Sequence, residues 1–157
     1  QEVAAMTMGL TQQDLADVTT ENAVTVGQKL YAQYGITGIR GQVEAGLPVV
    51  LHHGLPVLET GLKLGYDINR AGCAALLEIL VHSTDTNMIA RSSRERQLAW
   101  VARVKELLAQ TPYPDEEALV ELDDQFIAEN LSPGGSADLL ALTYLLHFFK
   151  TEEHLHV

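Results

Sequence analysis

Positive charge is scarce in this chain. Its 157 residues include 10 lysines and arginines against 21 aspartates and glutamates, which gives a formal net charge of −11 at pH 7. Sequence-independent nucleic-acid binding depends on dense Lys and Arg facing phosphates, so this balance argues against a nucleic-acid partner. Four arginines nevertheless fall within one region: Arg91, Arg94, Arg96 and Arg103. An anionic small molecule would have to be held in a shaped pocket by such local arginines or by a metal ion.

Cysteine and long apolar runs are equally scarce. The single cysteine, Cys73, lies in an Ala/Leu-rich stretch and has no partner for a disulfide within the chain, which fits a reducing cytoplasm and a core position. No uninterrupted apolar run approaches the ~20 residues of a membrane span. No charged-then-apolar leader opens the chain. We therefore expect a cytoplasmic protein without a membrane partner.

Segments of alternating polar and apolar residues are almost absent. The short run Val49 to Leu51 is the one strand candidate, and it could equally be helical. Nearly every other segment has helical periodicity, which predicts an all-α fold, a single-domain bundle of about six to eight helices. A chain of about 150 residues buries roughly 68–70% of its unfolded surface, so one domain over residues 1–157 can form a core without a metal or disulfide.

Capping signals predict where several helices begin and end. Glycine at Gly35 should stop a helix over 24–34, and Asp67 should cap the helix that contains the apolar run 71–81. Gly54-Leu55-Pro56 predicts a kink or a break. Two capping boxes are predicted, Thr11 with Asp14 and Ser92 with Glu95.

Two apolar stripes are predicted to face the core. The helix after Ser92 repeats its apolar residues at Leu98, Val101, Val104 and Leu108, and Trp100 lies one step off that line. The last helix, expected over 136–149, carries the stripe Leu139, Leu142, Leu146 and Phe149.

The first motif that could support a binding site is TGIRGQVEAG, residues 37–46. Its glycines, Gly41 among them, predict a tight turn in which backbone N–H groups approach a ligand. Arg40 offers a planar fork suited to phosphate oxygens. Glu44 could serve as a catalytic base, or it could simply pair with Arg40 on one helical face.

The second motif is TDTNMIAR, residues 84–91. Asp85 and Asn87 carry the hard oxygen ligands that Mg²⁺ takes together with waters and phosphates, and Arg91 is near enough in sequence to bind the same phosphates. Alternatively, Thr84 or Asp85 is only a helix N-cap. The residues alone do not decide between these interpretations.

The third motif is NLSPGGSADLL, residues 130–140. With Pro133 in the first turn and Ser136 as N-cap, its free N–H groups would face an anion, and Asp138 could ligate a metal that carries phosphates. The alternative is a tight turn between helices, in which Asp138 stabilises the helix dipole.

The histidines carry less information. His52 and His53 are adjacent and point in different directions on a helix, whereas His82 with Asp85 resembles a metal or acid–base pair. For each of them, a structural or surface histidine is the favoured interpretation.

Three segments in this order, GQKLYAQYGITGIRGQVEAGLP, DTNMIAR and NLSPGGSADLLALTYLL, resemble the C-terminal half of the triphosphoribosyl-dephospho-CoA synthase family. That family carries Thr-Gly-x-Arg-Gly-Glu, Asp-Thr-Asn and Ser-Pro-Gly-Gly blocks in the same order. This chain departs from the family pattern at Gln42, where Glu is usual, and at Ser92-Ser93, where Gly-Gly is usual.

The resemblance implies an all-α enzyme that transfers the triphosphoribosyl group of ATP to the 2′-hydroxyl of 3′-dephospho-CoA and releases adenine. The product is the precursor of the prosthetic group of the acyl carrier protein of citrate lyase or malonate decarboxylase. It implies Mg²⁺ as cofactor, held by Asp85 and Asp138, and a base at Glu44 or Asp85. Substrate binding would fall to Arg40, Gly41, Asn87, Arg91, Ser132, Gly134, Gly135 and Ser136.

Two other functions stay open from the sequence. One is a non-catalytic helical module that binds a nucleotide or a partner helix, including a second copy of the chain. The other is a metal-dependent hydrolase acting at ribose C1, since Asp85-Thr86-Asn87 faintly resembles the Asp-Thr-Asp of ADP-ribosylglycohydrolases. Because the chain begins at Gln1 and the family's N-terminal half has no counterpart in it, we expect a fragment that could be inactive alone.

Overall fold

A computed structural model describes residues 12–153, and within this range the chain is all-α with no strand. The predicted fold class is therefore confirmed. In this described range, a 3₁₀ turn over Gln12–Leu15 and a π-helix over Val50–Gly54 accompany eight α-helices. These helices are α1 Val26–Tyr34, α2 Ile39–Glu44, α3 Leu55–Lys63, α4 Ile68–His82, α5 Thr86–Arg91, α6 Arg94–Gln110, α7 Glu116–Ala128 and α8 Gly134–Glu153. The capping box predicted at Thr11 lies outside the described residues.

Helix α4 is the centre of the bundle and contacts α3, α6, α8 and the π-helix. Its start is the predicted one, because the Asp67 carboxylate accepts hydrogen bonds from the backbone N–H groups of Asn69 and Arg70. Small residues such as Ala71 and Ala75 are fully buried along it and let neighbouring helices approach closely. Its C-terminal end leads directly into the second motif.

The core beside α6 differs from the predicted stripe. The buried face of α6 is Gln97, Trp100 and Val104, whereas Leu98 is 52% exposed. The large indole determines the rotation of the helix, since Trp100 packs edge-on against Phe126 and its Nε1 donates a hydrogen bond to Glu129 Oε2 at 2.9 Å. The stripe on α8 is correct for its first three residues, but Phe149 is 59% exposed.

Two helix starts lie elsewhere than predicted. The cap of α6 is Ser93, whose Oγ accepts a hydrogen bond from the backbone N–H of Arg96; Ser92 instead ends α5 and donates its hydroxyl to Met88 O. Helix α8 begins at Gly134, so Ser136 lies within its first turn and is not an N-cap. At the other end of the chain, Gly35 stops α1 as predicted, at a φ of 67°.

The first motif forms a short helix and not the predicted tight turn. Helix α2 begins after Gly38, whose φ of 57° favours glycine. It ends in a Schellman arrangement: Gly46 N donates to Val43 O and Leu47 N donates to Gln42 O. Glycine at position 41 is explained by packing, because an added Cβ would collide with Oγ1 of Thr37.

The irregularity predicted at Gly54-Leu55-Pro56 is a π-helix over Val50–Gly54 that continues into α3, with Pro56 in the first turn of α3. Leu55 N donates to Val50 O, five residues back. Proline has no N–H and its ring crowds the carbonyl four residues earlier, which accounts for the widened turn.

Within the described residues, no helix has the length and apolar character that a membrane crossing would need.

Replacing Gly54 with alanine should destabilise the bundle by about 1–3 kcal/mol, because overpacking a core forces neighbours out of place. The new Cβ would lie 2.7 Å from Thr143 Oγ1 and 2.8 Å from Ile79 Cδ1. Urea denaturation measures the loss. Gly27→Ala is the matched control, since no other group lies within 4 Å of its added Cβ. Equal stability of the two variants would contradict this packing.

Candidate active site

The three motifs meet at one cleft with a volume of about 260 Å³. The first motif contributes 37–39 and Gln42, joined by Gly35 and Ile36 just before it. The loop after α4 and the start of α5 contribute Ser83, Thr84, Thr86 and Asn87, and the start of α8 contributes Gly135, Asp138 and Leu139. Segments that are far apart in sequence therefore form the walls of a single site.

Asp85 joins two of these walls from behind the cleft. Its Oδ1 accepts hydrogen bonds from the backbone N–H groups of Asn87 and Met88, at 3.0 and 3.2 Å. Its Oδ2 accepts from the backbone N–H and the hydroxyl of Ser136, at 2.8 and 2.9 Å. A carboxylate has about four acceptor sites, and all four are occupied here. Asp85 is 1% exposed and ties the first turn of α5 to that of α8.

Ser136 completes this connection. It is fully buried, and its Oγ also lies 3.4 Å from the hydroxyl of Ser83. The backbone N–H of Ser136, which was predicted to face an anion, therefore donates its hydrogen bond to Asp85. The roles predicted for Asp85 as base or metal ligand stay predictions, and each would require some of these hydrogen bonds to break.

Two glycines allow the walls to approach each other. A Cβ at Gly38 would lie 3.0 Å from Thr86 Cγ2, where the first motif meets the second. A Cβ at Gly134 would lie 2.7 Å from Asn87 Nδ2, where the second meets the third. The glycines thus serve close contact between the motifs.

The cleft surface is polar and carries little charge. Asp138, which is exposed, is the one acidic side chain among the described residues that line it, and no lysine or arginine of the described part does so. The remaining polar groups are hydroxyls and amides: Thr37, Ser83, Thr84, Thr86, Gln42 and Asn87. Such a wall can donate hydrogen bonds to phosphate or ribose oxygens and offer one carboxylate to a cation.

The predicted arginines lie outside this lining. Arg91 lies four residues after Asn87, at the end of α5, and its Nη1 donates to Asn130 Oδ1 at 3.3 Å. Arg40 is half-buried on α2, two residues from Gln42, and side chains at that spacing do not face each other.

The other predicted residues are divided between the cleft and its surroundings. Gly135, like Asn87, lines the cleft. Glu44, Gly41 and Ser132 do not belong to the lining in the described part of the chain. Sequence reasoning did not select Thr37, Ser83, Thr84, Thr86 or Gln42 as site residues. The position of these hydroxyl and amide side chains within or beside the quoted motifs was the signal that could have identified them.

A family model described as "CitG: ATP:dephospho-CoA triphosphoribosyl transferase" matches residues 1–156. The chain belongs to this family. A curated relative from Pectobacterium atrosepticum, named 2-(5''-triphosphoribosyl)-3'-dephosphocoenzyme-A synthase, is 41% identical over 150 residues, which cover 96% of this chain and 48% of the relative. A relative from Pectobacterium carotovorum subsp. carotovorum, named "Probable 2-(5''-triphosphoribosyl)-3'-dephosphocoenzyme-A synthase", has the same identity and coverage. The chain spans about half the length of these relatives, and no solved structure matches it.

Both departures from the pattern of this transferase family have structural roles in the chain. Gln42 lines the cleft, and its Oε1 accepts a hydrogen bond from the backbone N–H of Val49 at 3.2 Å, a bond that a glutamate could also accept. Ser92 and Ser93 respectively end α5 and cap α6 through their hydroxyls. The substitutions are therefore compatible with the local backbone.

Proposed function

We propose that the chain forms part of an enzyme that transfers the triphosphoribosyl group of ATP to 3′-dephospho-CoA. The 2′-hydroxyl oxygen of dephospho-CoA bonds to C1 of the ATP ribose, and the bond from C1 to adenine N9 breaks. The electron pair of the broken bond stays on N9, and the proton of the hydroxyl is transferred to the departing adenine. The product would be the precursor of the prosthetic group of the acyl carrier protein of citrate lyase or malonate decarboxylase. The observation that supports this proposal is the convergence of the three motifs on one cleft.

The residues of the cleft fit a magnesium ion that is shared with a triphosphate. Mg²⁺ is usually held by one or two carboxylates together with waters and substrate phosphates. Asp138 supplies one exposed carboxylate in the cleft wall, and the Asn87 amide adjoins the same space. Bound there, Mg²⁺ would neutralise charge on the triphosphate oxygens.

We assign Asp85 a positioning role in this reaction. Its four hydrogen bonds hold the starts of α5 and α8 together, and these two starts carry Asn87, Gly135 and Asp138. Arg91 shares α5 with Asn87 at a spacing of four residues, so we propose that it contacts the triphosphate. The base stays a prediction at Glu44 or Asp85.

The size of the cleft argues that further residues complete the site. Pockets for small molecules span about 300–1,000 Å³, whereas this cleft has about 260 Å³ and no cation among its described lining residues. We propose that the full-length enzyme supplies the missing lysine or arginine side chains and the remaining wall. They would come from the segment that corresponds to the part of the longer relatives outside the match.

The direct test is release of adenine in the presence of ATP, Mg²⁺ and 3′-dephospho-CoA, followed by chromatography and by the mass of the product. The assay uses this chain and the chain joined to the segment that the Pectobacterium atrosepticum relative has outside the match. We expect adenine only when dephospho-CoA is present. Absence of adenine with the joined protein would refute the proposal, and adenine released without dephospho-CoA would indicate a hydrolase instead.

A further inference from the structure

Three side chains with metal-binding atoms form a cluster that the proposed transferase reaction does not use. His53, Glu78 and His82 each bring one ligand atom to within 4.8 Å of the other two. His53 Nδ1 lies 3.5 Å from Glu78 Oε1, and His82 Nε2 lies 3.1 Å from the same oxygen. Two imidazoles therefore converge on one carboxylate.

The fold assembles this cluster through two features. Glu78 and His82 are four residues apart on α4 and share one face of that helix. His53 comes from the π-helix, whose wide turn is an irregularity often found at functional sites. The cluster therefore joins the π-helix to the C-terminal end of α4.

The two imidazole rings of the cluster lie against each other. The rings of His53 and His82 stack face to face, with centroids 3.6 Å apart and an angle of 14° between their planes. A metal ion would bind both rings in their neutral form together with the carboxylate.

We propose that His53, Glu78 and His82 bind a divalent first-row metal ion of the zinc class. Two histidines and one glutamate are the protein ligands of an open three-ligand zinc site, and imidazole also suits copper, nickel and iron. The three side chains are 32%, 26% and 39% exposed, so an ion and a water have access. Tetrahedral zinc bonds of about 2.0–2.1 Å place neighbouring ligand atoms about 3.3–3.4 Å apart, which is close to the 3.5 and 3.1 Å that separate the two nitrogens from the carboxylate oxygen. Because the rings are nearly parallel, they must turn for both nitrogens to point at one ion.

This site is separate from the cleft that we assign to Mg²⁺. Its ligands are nitrogens and one carboxylate, whereas Mg²⁺ prefers oxygen ligands. His82 is followed directly by Ser83, which lines the cleft. A bound ion would hold the end of α4 against the π-helix next to the cleft wall, and the inference does not depend on the transferase reaction.

Calorimetric titration of the full chain with ZnCl₂, without nucleotide, tests the site. We expect one ion to bind at this cluster and binding to weaken at least about 100-fold in His53→Gln and in Glu78→Gln, because loss of a ligand exceeds the 10–100-fold cost of losing an outer-shell partner. His52→Gln is the matched control, since His52 is the exposed neighbour of His53 and is not part of the cluster. It should bind Zn²⁺ as the parent chain does.

Co²⁺ provides a second measurement that does not depend on affinity. The parent chain and His52→Gln should show the visible absorption of a cobalt ion with a low coordination number, and His53→Gln should lose it. The inference is wrong if the parent chain binds no Zn²⁺, or if His53→Gln and Glu78→Gln bind as tightly as His52→Gln does.

Discussion

Replacing Asp85 with alanine is expected to destabilise the protein by about 3–4 kcal/mol, because hydrogen bonds to a charged group each contribute about 1.5–3 kcal/mol and buried donors are left unpaired. The lost partners are the backbone N–H groups of Asn87, Met88 and Ser136 and the Ser136 hydroxyl. Such a loss is a large fraction of the 5–15 kcal/mol that typically stabilises a domain. Urea denaturation followed by circular dichroism measures it.

Two further variants separate the contributions of Asp85. Ser136→Ala removes one hydrogen bond to the carboxylate and should cost less than Asp85→Ala. Asp138→Ala removes an exposed carboxylate and should change stability by no more than about 0.5 kcal/mol. A loss below about 1 kcal/mol for Asp85→Ala would mean that these hydrogen bonds are weak in solution. The carboxylate would then be available as base or metal ligand.

Replacing Asp138 with asparagine is expected to weaken the binding of Mg-ATP at least about tenfold, because it removes the carboxylate that we assign to the ion. Binding of ATP without Mg²⁺ should stay the same or become tighter, since the variant removes a negative charge from the cleft. Calorimetry with and without Mg²⁺ measures both effects. The variant should therefore lose affinity for ATP when Mg²⁺ is present, and should keep or gain affinity for ATP when Mg²⁺ is left out.

The control for Asp138→Asn is Asp124→Asn, which makes the same change of charge at an exposed position of α7 outside the cleft. Its binding of Mg-ATP should match that of the parent chain. Equal weakening of ATP binding with and without Mg²⁺ would rule out a metal role for Asp138. Equal weakening by the two variants would show that only the net charge matters.

The local signals in the sequence predicted the helices well where they act over a few residues. Asp67 caps α4 and Gly35 stops α1, because caps and left-handed stops depend only on nearby backbone groups. Apolar periodicity was less reliable. Leu98 and Phe149 continue apolar stripes but are exposed, since packing of Trp100 and of neighbouring helices determines which face is buried.

For the site as well, local residue types predicted more than the directions of individual side chains. The three motifs and Asp138 were identified from residue types, and they do form one cleft. Arg40 and Glu44 belong to the first motif but not to the lining, because the segment is helical and a helix turns alternate residues away from each other. The predicted tight turn is wrong, whereas the roles of Arg40 and Glu44 stay predictions.

Sequence reasoning missed the cluster of His53, Glu78 and His82 because a π-helix brings His53 to α4. Adjacent histidines at positions 52 and 53 were correctly expected to point apart, yet nothing local indicates which of them meets Glu78. The widened turn changes the direction in which the side chains point around the helix axis. This change depends on Pro56 and on packing against α4.

The sequence by itself determined that this protein is all-α, where most of its helices begin and end, and to which family it belongs, because these properties depend on short-range spacing and on residue identity. Only the tertiary structure decided that the Asp85 carboxylate accepts four hydrogen bonds from the starts of α5 and α8, and that Asp138 lines the cleft. The direction of a side chain depends on helix rotation and on contacts between segments that are distant in sequence, and no local pattern encodes those contacts.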